Sequence, residues 1–157
     1  MGARDVTKTT EPTSEQRKSD FARMTRSGRV TDQDFETYFL REKNWMSKDA
    51  FVKAVKLSES QIDKALMDPD PLFTKGIVAL TQKLTARQVD VALRSGNPSL
   101  KTQALIWQDV SDEQLDAIIR NKYGGEYSNV VFAAELRRSG FPKGEKLDRE
   151  VTSFSLP

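Results

Sequence analysis

Three aspartates, Asp63, Asp90 and Asp116, recur at spacings of 27 and 26 residues, each two positions after a glutamine. Carboxylates in such a row could hold a cation, trade protons, or dock a basic partner. One period apart they are too widely spaced to share a single ion. The chain has no His and no Cys, which removes histidine- or cysteine-ligated zinc, the thiol nucleophile and the imidazole base. A catalyst would need an Asp/Glu dyad or an activated Lys or Ser, and no pair stands out from the solvated charges. Tyr123-Gly124-Gly125-Glu126-Tyr127 carries glycines suited to a phosphate-cradling turn, but no strand precedes it and no Lys-Ser/Thr follows. The expectation is a non-enzyme with no catalytic residue, no metal and no cofactor.

The cations suggest other uses. Residues 1–29 carry a net charge of +3 and residues 137–157 carry +2, leaving the body at −3. Arg17, Lys18, Arg23, Arg26 and Arg29 could bind phosphate as a basic arm, although a sequence-independent DNA binder usually puts its cations on the folded body. Arg137 and Arg138, near Phe141 and Lys143, resemble a short contact motif; a solvated tail is the plainer reading. Trp45 and Trp107 are core residues by default, and an exposed Trp45 would instead mark an interface anchor. For the aspartates the plain reading is a solvated row. Asp90 would pair with Arg94 and Asp116 with Arg120 four residues on, whereas Asp63 faces Met67.

The elements that must position these residues follow from helix-start signals. Leu57-Ser58-x-x-Gln61-Ile62, Leu84-Thr85-x-x-Gln88-Val89 and Val110-Ser111-x-x-Gln114-Leu115 each superpose a capping box on a hydrophobic staple. The helices that follow place Ile62, Ala65 and Leu66, then Val89, Ala92 and Leu93, then Leu115, Ile118 and Ile119 on one stripe. Asp70-Pro71, Asn97-Pro98 and Tyr123-Gly124 then open a second helix in each unit. Its expected stripes are Phe73, Ile77 and Leu80; Leu100, Ala104 and Trp107; and Tyr127, Val131 and Ala134. A two-helix period of this length predicts an all-α fold, a short right-handed α-solenoid. Weaker starts at Val30-Thr31 and Met46-Ser47, with Phe35, Tyr38, Phe39, Phe51, Val52 and Val55, predict a diverged N-terminal unit that caps it.

The ends differ in composition. Residues 1–12 read as a disordered arm, 13–29 as a basic helix from Thr13 to Gly28, 30–140 as the helical domain and 141–157 as a flexible tail. That helix has few apolar positions (Phe21, Ala22, Met24) and should dock weakly or only against a partner. With 157 residues, 37% hydrophobic and 31% charged, the chain suits one domain with a thin core. No apolar run or leader argues for a membrane or export, so a cytoplasmic location is expected.

The unit Leu-Ser/Thr-x-x-Gln-apolar-Asp-x-Ala-Leu followed by Asp/Asn-Pro resembles the short two-helix HEAT-like repeats related to the leucine-rich-repeat variant, over residues 57–136. Lys75 and Lys101 stand where such units often carry an Arg. The resemblance implies a curved binding scaffold of a kind found in bacterial and phage-encoded proteins. The expected role is a protein-binding adaptor, with Asp63, Asp90, Asp116, Trp45, Arg137 and Arg138 as candidate contacts. The alternatives are a nucleic-acid accessory protein acting through its basic arms and a virion or assembly subunit.

Overall fold

The computed structural model describes residues 11–69, 72–121 and 126–144, of which 72 and 73 by backbone alone. Every regular element among them is helical. The arm before residue 11, the Asp70-Pro71 start, the Tyr123-Gly124-Gly125 turn and the tail beyond residue 144 lie outside the described residues.

α1 spans Ser14–Ser27. The Thr13 hydroxyl accepts from the Gln16 N–H at 3.1 Å, and Gly28 stops the helix at a φ of 68°, a left-handed conformation that glycine adopts without strain. α2, Asp32–Phe35, runs into a π-helical turn at Glu36–Leu40. α3 covers Trp45–Ala54. Its cap is Asn44, whose side chain accepts from the Met46 N–H at 2.9 Å, so the helix begins before the Met46-Ser47 signal. Asn competes well with Ser for that position.

The three strong starts open helices where the spacing puts them. α4 is Glu59–Met67, α6 is Ala86–Arg94 and α8 is Asp112–Arg120; Ser58, Thr85 and Ser111 each close a full capping box with the glutamine three residues on. Between and after them lie α5 (Leu72–Thr81), α7 (Pro98–Trp107, capped by Asn97) and α9 (Ser128–Arg138).

The stripes of α4, α6 and α8 are buried as expected, with Ile119 half-buried. α3, α5, α7 and α9 pack side by side in chain order, and the most extensive contact is α5 on α7. A helix between two neighbours buries both flanks, so the second stripes are broadened rather than moved: Leu100, Ala104, Val131 and Ala134 are buried as expected. Val78 and Ala79 are fully buried while Ile77 and Leu80 are half-buried; in α9, Val130, Val131, Ala133 and Ala134 are buried while Tyr127 is exposed. Gly76 permits the α5–α7 approach: a Cβ there would stand 2.4 Å from the Ser99 hydroxyl.

Candidate functional site

The capping glutamines also reach backwards along the chain. Gln88 accepts from the Thr85 N–H through Oε1, and its Nε2 donates to the Glu59 carbonyl and to Asp63, each at 2.9 Å. Gln61 repeats this toward the Val30 carbonyl and Asp32, at 2.9 and 3.0 Å. A buried amide whose donor and acceptor are both satisfied fixes the position of one helix start against the previous one. Among the described residues Gln114 closes its own box only.

A second glutamine pair escaped the sequence reading. Gln82 accepts from the Leu57 N–H at 2.8 Å and donates to the Val52 and Val55 carbonyls at 2.9 Å each. Twenty-six residues on, Gln108 accepts from the Leu84 N–H and donates to the Ala79 and Gln82 carbonyls, at 2.9, 2.6 and 2.7 Å. Both satisfy carbonyls freed where the preceding helix of the row ends. Arg137 then donates to the Leu105 and Gln108 carbonyls. It is thus committed to the end of α7, where burial pushes its guanidinium below its ordinary value. The signal was present in the chain: Gln82 and Gln108 each stand three residues before a capping Thr85 or Ser111.

The aspartate row is surface-exposed, and each member has a cation. Asp63 receives both oxygens' bonds from Arg87 of α6, at 2.9 Å. The Gln88 amide first, and then Arg87, hold its carboxyl below the ordinary value. Asp90 pairs with Arg94 at 2.7 Å, four residues on. Asp116 turns instead to Arg138 of α9 at 2.9 Å rather than to Arg120, because α9 packs closely on α8. Arg138 also reaches Asp112 at 3.5 Å. Solvent and salt screen pairs of this kind, so they add little to stability.

One buried and one half-buried ion pair were not foreseen. Lys48, wholly inaccessible, meets Asp68 at 2.7 Å and lies 4.6 Å from the Phe39 ring centre. Lys101 meets both oxygens of Glu126 at 3.0 Å. Asp49 Oδ1 and Thr74 Oγ1 are buried with no partner at hydrogen-bond geometry. Burial pushes the Asp49 carboxyl up, against smaller opposing effects of Lys53 and the nearby Thr74.

Both tryptophans depart from the core default. Trp45 is 45% exposed at the start of α3. Trp107 is half-buried, donates to Gln103 at 2.8 Å, and is covered by the chain after α9. Gly144 lies against its ring so closely that a Cβ would come within 2.1 Å, and Lys143 reaches Asp109 at 2.5 Å.

The basic set on and after α1 divides in two. Arg23 clasps Asp34 at 2.6 and 3.0 Å and also reaches Asp20 at 3.4 Å. Arg17 lies 5.6 Å from the Tyr38 ring centre and 3.6 Å from Glu42. The Tyr38 hydroxyl donates to Asp20 at 2.5 Å. Lys18, Arg26 and Arg29 are exposed. Burial raises the Asp34 carboxyl, but the bonds from Arg23 and Thr31 outweigh it and hold it below its ordinary value. An open cleft of about 1020 Å³ runs between α1 and the α2 region, lined by Arg17, Asp20, Arg23, Asp34, Arg41 and Glu42 among others.

No described cluster of three or more His, Cys, Asp or Glu could hold a metal ion. No described helix is long and apolar enough to cross a membrane. Comparisons with family models, with curated proteins and with solved structures found no match for this chain.

Proposed function

We propose that the protein is a non-enzymatic, protein-binding adaptor or regulator built as a short right-handed solenoid of HEAT-like helix pairs. The recurrence of inter-helix glutamine bonds carries this reading. Gln61 and Gln88 on one side, and Gln82 and Gln108 on the other, make near-identical bonds to the preceding pair. Such an array holds its helix pairs in fixed register and offers a continuous outer surface, which suits a partner better than a small substrate. The Asp63, Asp90 and Asp116 row, with exposed Trp45, is the surface we assign to contact. A phage- or mobile-element-encoded modulator of host machinery belongs to the same reading.

The test is capture of partners from the native host, identified by mass spectrometry, with the wild-type chain beside an Asp63→Lys/Asp90→Lys/Asp116→Lys variant. A partner retained by the wild type and lost by the variant is the expected result. Equal capture by both removes the aspartate row from the function.

A nucleic-acid accessory role is favoured by one observation, the exposed Lys18, Arg26 and Arg29. It predicts DNA or RNA binding that weakens steeply with salt and disappears when residues 1–29 are removed. An assembly subunit would instead show a higher-order species in light scattering.

A further inference from the structure

α1 is attached unlike the other described helices. Their backbones approach one another closely, whereas α1 stands off from them, with open solvent in the cleft alongside it. Met24 is its one fully buried side chain among the described residues. Phe21 is 41% exposed and leans on Tyr38 and Phe51, with ring centres 5.0 and 6.4 Å away. The rest of the attachment is polar: Arg23 to Asp34, Tyr38 to Asp20, and Arg17 to Glu42.

The body's side of this contact is the more built of the two. Asp34 is 4% exposed and is fixed by the Thr31 N–H at 3.0 Å as part of a capping box. It therefore presents a preorganised carboxylate to a guanidinium in fork geometry. Tyr38 and Phe51 form an aromatic floor beside it, and Glu42 adds a second acid. An acidic, aromatic seat of this kind fits a docked helix that brings an aromatic ring along one flank and an arginine along the other. α1 satisfies it with Phe21-x-Arg23-Met24, and only Gly28-Arg29-Val30 joins it to the capped start of α2.

We propose that this seat is a second partner site of the adaptor, separate from the aspartate row, and that α1 is its displaceable cover, the ligand being a helix that presents an arginine two residues after an aromatic. The proposal rests on the protein-binding reading above. A partner helix gains the Asp34 clasp and the aromatic floor only by removing α1, so apparent affinity is reduced by the fraction of chains in which α1 is docked.

The probe is a fluorescent peptide of residues 11–30, titrated by anisotropy into the full chain. Wild type is compared with a Phe21→Ala/Arg23→Ala variant, whose own α1 is weakened but whose seat is intact. The variant should bind the peptide about tenfold tighter or more, and a peptide carrying Arg23→Ala should not bind. Adding Asp34→Asn to the variant should abolish binding. Because Asp34 also caps α2, Tyr38→Phe serves as a second probe that removes only a hydroxyl; it should weaken binding several-fold with an unchanged circular dichroism spectrum. Equal, weak binding to wild type and variant overturns the proposal, as does binding indifferent to Asp34→Asn and Tyr38→Phe. A wild-type dimer in light scattering that disappears in the double variant would assign the seat to a second copy and overturn the partner assignment. Failure of the peptide leaves the adaptor reading intact, since that is judged by capture on the aspartate-row variant.

Discussion

Gln108 and Gln114 show how one residue type takes two weights in the same chain. Gln114 closes a capping box in partial solvent, so Gln114→Ala should cost about 0.5–1 kcal/mol in urea denaturation. Gln108 is buried and satisfies the Leu84 N–H and the Ala79 and Gln82 carbonyls at and after the end of α5. Its replacement by Leu orphans all three, and the expected loss is about 2–4 kcal/mol. If the two substitutions cost the same, the buried bonds do not bear on stability as argued. Asp49 is the opposite case, a buried carboxyl whose Oδ1 has no partner. Its folded pKa is raised, so protonation favours the folded state and stability falls as pH rises through the interval between the unfolded and folded values. Asp49→Asn should therefore raise Tm by about 2–4 °C at pH 7, with the advantage shrinking as the buffer is acidified. The three capping glutamines were legible in the chain because their partner lies three residues away. Gln82 and Gln108 were missed because their partners lie 24 to 30 residues away.

At the scale of elements, helix starts follow from local chemistry, while helix contacts do not. Ser58, Thr85, Ser111, Asn97 and Thr13 all cap where their spacing indicated. The extra buried positions of α5 and α9, Val78 and Ala79 and then Val130 and Ala133, depended on neighbouring helices, which no single helix encodes. α1 makes the same point about charge: Arg17 and Arg23 read as free basic residues, yet each has an acidic partner elsewhere in the fold. Asp34 titrates below its ordinary value of 3.8. Its contribution is complete above the unfolded carboxylate value and is lost as pH falls through the lower folded one. A fluorophore on Ala22→Cys, unique in a cysteine-free chain, should therefore report α1 loosening on acidification. The same label in an Asp34→Asn chain should show α1 already loose at neutral pH and no such step. Gly144 offers a test at the other end: Gly144→Val cannot keep its place on the Trp107 ring. In a Trp45→Phe background the emission of Trp107 should then shift to the red.

For the whole molecule the issue is coupling between neighbours. Gln82 joins α5 to the end of α3, and Gln108 joins α7 to α5. Urea unfolding followed separately through Trp45 and Trp107, in single-tryptophan chains, should give coincident transitions. Gln108→Leu should separate them, with the Trp107 side melting first; coincident curves in that variant would mean the coupling runs through apolar packing instead. The sequence by itself determined the helical class, the positions of the helix starts and their period, because capping and amphipathic spacing act within a turn or two of chain. Only the tertiary structure decided which polar groups meet: that Arg137 closes α7, that Asp116 turns to Arg138, and that α1 rests on Asp34. Those partners are set by where distant helices come to lie, and the energy of a buried charge or amide depends on that geometry rather than on its neighbours in the chain.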